Sequence, residues 1–129
     1  MPDLTIGEIA QRSGFRASAI RYYERLGILP AARRVSGQRR YSAGVLDRLA
    51  VIQFTRLTGF TLKEIKQLFH GFTDGTPASA RWQKLARSKL AEIDELISRA
   101  RGMKEMLEAG LACRCVSLDE CGRAIRSRQ

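Results

Sequence analysis

The sequence predicts a mainly α-helical protein: a small N-terminal domain of short helices and one hairpin, a single long helix, and a cysteine-bearing tail. Three observations predict it. Threonine capping signals precede short amphipathic stretches at Thr5 and Thr61. A Pro/Gly/Arg-rich segment separates them between Ile28 and Tyr41. From about Ser79 to Leu111 runs a proline-free stretch whose apolar residues recur at alternating steps of four and three.

Thr5 opens the first helix with a capping box, its hydroxyl accepting an orphan N–H while Glu8 reaches back. Ile6, Ile9 and Ala10 make its buried face, and Gly14 ends it. Ala17 and Ser18 begin a second helix through Ile20, Tyr23 and Leu26, closed by Gly27. Two short helices joined by a tight Gly-containing turn form a helix-turn-helix. The segment that follows carries Pro30, Gly37 and the arginines Arg33, Arg34, Arg39 and Arg40, with Val35 and Tyr41 flanking the turn. It predicts a short β-hairpin, a wing. Ser42 caps a third helix, with Val45, Leu46, Leu49, Ile52, Gln53 and Leu57 near helical spacing and Gly59 at its end. Thr61 and Glu64 form a second capping box for a fourth helix that buries Leu62, Ile65, Leu68 and Phe69.

Gly71 to Pro77 is the clearest hinge in the chain. Beyond it, the seam of the long helix is Ala86, Lys89, Ile93, Leu96, Ala100, Met103, Leu107 and Gly110, widened by Leu90, Ile97 and Met106. So small a protein offers little to bury that seam except a second copy, which predicts a two-stranded coiled coil. Lys89 and Gly110 fit the seam poorly. The competing arrangement folds the helix back on the N-terminal domain. The expected division is a winged helix-turn-helix domain over 1–70, a hinge over 71–78, a dimerisation helix over 79–111, and a cysteine-containing effector loop and tail over 112–129.

Charge narrows the function. The chain of 129 residues has 23 Lys and Arg against 13 Asp and Glu, a net charge of +10, which favours a polyanionic partner. No apolar stretch approaches the ~20 residues of a membrane span, and the N-terminus lacks the pattern of a signal peptide, so a cytoplasmic location is expected. His70 is the single histidine, and P-loop, GxSxG and HExxH motifs are absent, so the chain is not expected to be an enzyme. In the second helix Arg16, Ser18, Arg21, Tyr22 and Arg25 share the end or face opposite Ile20, Tyr23 and Leu26, where a recognition helix faces a major groove. The wing arginines suit phosphate or minor-groove contact. A lone arginine reads as a solvated surface; arginines on both elements read as a double-stranded DNA interface.

Cys113, Cys115 and Cys121 fall within nine residues of one another. An odd number of cysteines in a reducing compartment speaks against a structural disulfide framework. Ser117 and Glu120 predict a further capping box, which places Cys121 in the first turns of a short helix where a thiolate is favoured. Arg114 and Arg123 add positive charge nearby, and Cys113 and Cys115 lie on the preceding loop. Three soft ligands at this spacing suit one thiophilic metal ion. The alternatives are three unrelated thiols, or a switch in which Cys115 and Cys121 react with oxidants or electrophiles.

The segments Thr5-Ile-Gly-Glu-Ile-Ala, Ser18-Ala-Ile-Arg-Tyr-Tyr-Glu-Arg-Leu-Gly-Ile-Leu, Gly37-Gln-Arg-Arg-Tyr-Ser and Gly59-Phe-Thr-Leu-Lys-Glu-Ile resemble the MerR family of bacterial transcription regulators. The resemblance implies a homodimer with antiparallel coupling helices, each winged domain reading half of a palindromic promoter operator. Effector binding then distorts the DNA so that RNA polymerase can use the promoter. Arg21 and Tyr22 carry over from the helix, and Arg39, Arg40 and Tyr41 from the wing; Tyr23 also matches and reads as a core residue. Ser79 stands where sensors of divalent ions in the family usually add a cysteine, as in those for monovalent copper, silver and gold. The C-x-C-x5-C spacing resembles the last three cysteines of SoxR, the family's [2Fe-2S] redox sensor, with Gly110 at the first ligand position. The expectation is a metal sensor for Hg(II), Cu(I), Pb(II), As(III) or Zn(II) through Cys113, Cys115 and Cys121. The alternative is a redox or electrophile sensor using the same thiols, with or without an iron–sulfur cluster. A nucleic-acid architectural protein without effector is a third reading.

Overall fold

Thr5 and Thr61 cap as their spacing to Glu8 and Glu64 predicts. In the computed structural model, which describes residues Asp3–Arg128, each threonine hydroxyl accepts the N–H three residues on at 3.2 Å. Each glutamate in turn accepts the threonine's own N–H, at 3.1 and 2.8 Å. The first box joins a two-residue strand β1 (Leu4–Thr5) to α1 (Ile6–Ser13). Gly14 ends α1 at φ +78°, a left-handed conformation that costs glycine no side-chain clash. Three residues later α2 (Ala17–Arg25) begins, completing the helix-turn-helix.

The hairpin consists of β2 (Arg33–Val35) and β3 (Gln38–Tyr41). Both central residues of its turn, Ser36 and Gly37, have positive φ, 52° and 79°. That is the signature of a two-residue turn whose twist matches the strands. β3 also pairs antiparallel with β1, Leu4 opposite Tyr41, so the sheet order is β1-β3-β2. This third strand was not expected; two residues are too few to show alternation.

α3 (Gly44–Leu57) and α4 (Leu62–His70) follow the hairpin. Ser42 acts one residue earlier than expected: Ala43 occupies the cap position, and the Ser42 hydroxyl accepts the Gly44 N–H at 3.2 Å. Leu57 is 76% exposed. It lies twelve residues past Val45, about a third of a turn off the buried stripe of Val45, Leu49 and Ile52. Thr55 takes the inward position instead, its hydroxyl donating to the Ile52 carbonyl at 2.7 Å.

α5 (Ala78–Gly110) gives its first turns to the N-terminal core. Leu85 is buried there, and Trp82 meets Phe54 and Phe60 edge-on, with ring centroids 5.6 and 6.1 Å away. Arg81 donates to the carbonyls of Leu68, Phe69 and Thr76 at 3.0–3.1 Å, tying the helix start to the end of α4. Lys89 is not a seam residue. It is buried, its ammonium 2.9 Å from Glu64 and 5.2 Å above the Phe60 ring. One compact unit ends at Lys89 and a second begins at Leu90. In the second, Leu90, Leu96, Ile97, Met103, Met106 and Leu107 of α5 are exposed. A turn carrying Cys113 and Cys115 leads into α6 (Leu118–Ser127), which holds Cys121. Among the described residues, no helix is long and apolar enough to cross a membrane.

Candidate functional site

α2 buries Ile20 and Tyr23, which leaves its polar residues on the other side. Arg16 stands at its N-terminus; Arg16, Ser18, Tyr22 and Arg25 are exposed and Arg21 is half-buried. The Arg25 guanidinium lies 5.9 Å from the Tyr22 ring centroid, so the two form one donor-rich surface.

The hairpin register sets Arg33 opposite Arg40 and Arg34 opposite Arg39. Like charges in directly opposed positions destabilise a strand pair, and four guanidinium groups in two adjacent pairs is an arrangement that stability alone does not favour. Local partners reduce the cost. Arg33 pairs with Asp3, Arg40 donates to the Gln38 side chain at 3.1 Å, and Arg39 lies 3.4 Å from Glu24. Arg33 and Arg34 are exposed, and Arg39 and Arg40 are half-buried.

Tyr41 is placed differently from the other candidate DNA contacts. It is only 1% exposed, its ring lies in the core, and its hydroxyl donates to Glu24 at 2.6 Å. Burial, then the bond to Glu24, pushes the phenol above its ordinary value and keeps it protonated as a donor. A ring so enclosed anchors the wing rather than offering a surface to DNA. Glu24, which accepts this bond, was missed by sequence reasoning. The signal was a single acid between Arg21 and Arg25 on an otherwise basic helix.

The three thiols come together as their spacing suggests. Their sulfurs all lie within 4.8 Å of one another. Cys113 follows the end of α5, its N–H bonded to the Gly110 carbonyl at 3.1 Å. Cys121 sits in the first turn of α6, its N–H donating to the Ser117 carbonyl at 3.2 Å. Half of the predicted capping box forms: Ser117 accepts the Glu120 N–H, while the Glu120 carboxylate turns to the Val116 N–H at 3.1 Å. Cys113 is exposed and the other two thiols are half-buried.

Within the cluster the protons are unequally held. Cys113 is held below the ordinary thiol value by hydrogen bonds from the Cys115 thiol and the Cys115 N–H, then from Cys121. The N–H bond measures 3.2 Å, and the Cys113 and Cys121 sulfurs are 3.6 Å apart. Cys115 is pushed up to about 12, chiefly by donating to Cys113. Sequence reasoning looked to Cys115 and Cys121 for the reactive thiols; the geometry favours a thiolate at Cys113, served by its neighbours as donors.

Residues 4–71 match the family described as MerR HTH family regulatory protein, and residues 46–110 the one described as MerR, DNA binding. The chain is 36% identical over 105 residues to the HTH-type transcriptional regulator HmrR of Rhizobium leguminosarum bv. viciae, covering 81% of each. It is 38% identical over 104 residues to the mercuric resistance operon regulatory protein of Bacillus cereus, covering 79% of this chain and 78% of that one. A SoxR homolog, an HTH-type transcriptional activator of Chromobacterium violaceum, is 27% identical over 119 residues, covering 92% of this chain and 80% of that one. Among solved structures, PbrR691 of Ralstonia metallidurans CH34 in complex with lead(II) superposes with a TM-score of 0.71 at 25% identity, covering 88% of this chain and 91% of that one. HiNmlR, a MerR family regulator lacking the sensor domain and bound to promoter DNA, gives 0.58 at 26% identity, covering 85% and 88%.

Proposed function

The chain belongs to the MerR family of helix-turn-helix regulators, which are DNA-binding transcription regulators and not enzymes, and from that membership we propose that it senses a thiophilic metal ion as a cytoplasmic homodimer at a palindromic promoter operator. The observation that carries the metal reading is the meeting of three cysteine sulfurs within 4.8 Å. Zinc–thiolate bonds of about 2.3 Å bring three sulfurs around one ion to roughly 4 Å apart, so the donor set fits with little rearrangement. Cys113, Cys115 and Cys121 would hold the ion, which on binding replaces the thiol protons and cross-links the loop after α5 to the first turn of α6. Three thiolates from one chain suit a trigonal ion such as Hg(II), Pb(II) or As(III), while two of them suit Cu(I). A mercuric resistance regulator and a lead(II)-bound regulator among its relatives support this class of ion.

On the DNA side, Arg16 before α2 and Ser18, Arg21 and Tyr22 within it read the major groove, and Arg39 and Arg40 of the wing hold the phosphate backbone. Tyr41 supports the wing from beneath. Binding to DNA reorganises the promoter for RNA polymerase when the ion is held.

One experiment covers both halves. Anaerobically purified protein is titrated with Hg(II), Cu(I), Pb(II), As(III) and Zn(II), following thiolate charge-transfer absorbance and binding to a duplex selected by the protein from a random library. One ion per chain, lost with Cys113→Ser or Cys121→Ser, is the expected result, and Arg21→Ala weakens duplex binding without altering the ion's uptake. Saturation by none of these ions overturns the metal reading.

The 3.6 Å separation of the Cys113 and Cys121 sulfurs favours one alternative, a dithiol switch. The Cys113 thiolate attacks a peroxide, releasing water or an alcohol and leaving a sulfenic acid. The Cys121 thiol then displaces the second oxygen as water to form the disulfide. Peroxide-driven loss of two thiols per chain, with a change in promoter output and no metal requirement, identifies that reading.

A further inference from the structure

We propose that Glu24 is a positioning residue that fixes the wing against α2 and restrains Arg39, so that the protein distinguishes its operator from bulk DNA. The inference rests on the reading of α2 and the wing as the DNA surface. A carboxylate on a helix that faces a polyanion opposes binding unless its charge is committed elsewhere in the protein. Glu24 is so committed. One oxygen accepts the Ala32 N–H at 3.2 Å, and the other accepts the Tyr41 hydroxyl at 2.6 Å and faces the Arg39 guanidinium at 3.4 Å.

These donors come from both arms of the hairpin. Ala32 immediately precedes β2, while Arg39 and Tyr41 are alternate residues of β3 and therefore point to the same face. A single carboxylate on α2 thus closes the hairpin onto the recognition helix. Its side chain is 14% exposed, against 35% for that of Arg39, so the pair is sheltered yet within reach of a DNA backbone. Arg33 finds its acid at Asp3, in the segment before β1; Arg39 finds its acid on α2 itself.

A guanidinium already facing a carboxylate gains less from meeting a phosphate, and it contributes less counterion release. Non-specific binding depends almost wholly on that release, whereas operator binding also depends on the wing meeting α2 at a fixed angle. Glu24 therefore lowers the first and supports the second.

Glu24→Gln isolates the charge, because the amide oxygen still accepts the Ala32 N–H and the amide nitrogen can donate to the Tyr41 oxygen. Binding to a random-sequence duplex and to the library-selected operator is measured against salt, with thermal melting alongside. The expected result is roughly fivefold tighter random-duplex binding. The slope of log K against log salt steepens by about 0.9, the operator-to-random ratio falls, and the melting temperature is nearly unchanged. Arg39→Ala alone changes that slope little, because its guanidinium already faces Glu24, and combined with Glu24→Gln it abolishes the steepening. Arg40→Ala, whose guanidinium donates to the Gln38 side chain, makes the slope shallower by about 0.9. Glu24→Ala, which also removes the cradle for Ala32 and Tyr41, lowers the melting temperature. If Arg40→Ala leaves affinity and slope unchanged, the wing reading fails and this inference with it. If Arg40→Ala behaves as expected but Glu24→Gln leaves the slope unaltered, or melts and binds like Glu24→Ala, the role assigned to Glu24 alone is overturned.

Discussion

Cys113 is the residue whose chemistry the structure changes most. Two thiols and an amide N–H converge on its sulfur, so its thiolate fraction is raised at pH values below the ordinary thiol range. Cys115, donating into that arrangement and pushed up to about 12, keeps its proton through neutral pH. Iodoacetamide near pH 7.5, followed by peptide mass spectrometry, is therefore expected to modify Cys113 first and Cys115 last. The pH profile for Cys113 lies to the acid side of a free cysteine's, and equal rates at both positions contradict the assignment. The clustering of these cysteines was legible because all three lie within nine residues. Which one holds the thiolate was not, since it depends on the turn that brings the Cys115 N–H to the Cys113 sulfur. Lys89 shows the same limit over a longer range. By spacing it falls on the α5 seam, but its partner Glu64 is 25 residues away and invisible to periodicity. Burial raises the Glu64 carboxyl, yet hydrogen bonds from Thr61 and Lys89 outweigh it and hold the group below its ordinary value.

Among the elements, local sequence signals suffice where a side chain answers its own backbone. Both threonine boxes and the left-handed glycine after α1 formed as their residues require. Elements decided by pairing across the chain were less legible, as β1 shows, because its two residues become a strand only when β3 is beside them. The wing turn joins both cases, its residues local and its consequence reaching the proposed DNA surface. Gly37→Ala places a Cβ at φ +79°, at a cost of about 1–2 kcal/mol. Ser36→Asn supplies the residue best suited to a left-handed first turn position. Thermal melting should fall for the first and rise by a degree or more for the second. Operator affinity should follow hairpin order in the same direction, and a Gly37→Ala protein with unchanged melting and affinity argues against an ordered wing.

For the whole molecule, the exposed apolar residues of α5 beyond Lys89 ask for a partner of matching chemistry, and the proposed homodimer would supply one as a second copy of the helix. Leu96→Glu with Leu107→Glu should shift the protein to a monomer in sedimentation equilibrium and weaken operator binding by orders of magnitude, while the N-terminal unit keeps its melting transition. A dimer that survives both changes places the interface elsewhere. Trp82 bears on how such events could be followed. It is the single tryptophan of the chain, and it meets two aromatic rings where the start of α5 enters the N-terminal core. Its emission therefore reports one place and no other. The proposed ion uptake, operator binding and dissociation into monomers can each be watched from that fixed vantage without a label, and a spectral change in any of them means that the event is felt at the root of the long helix.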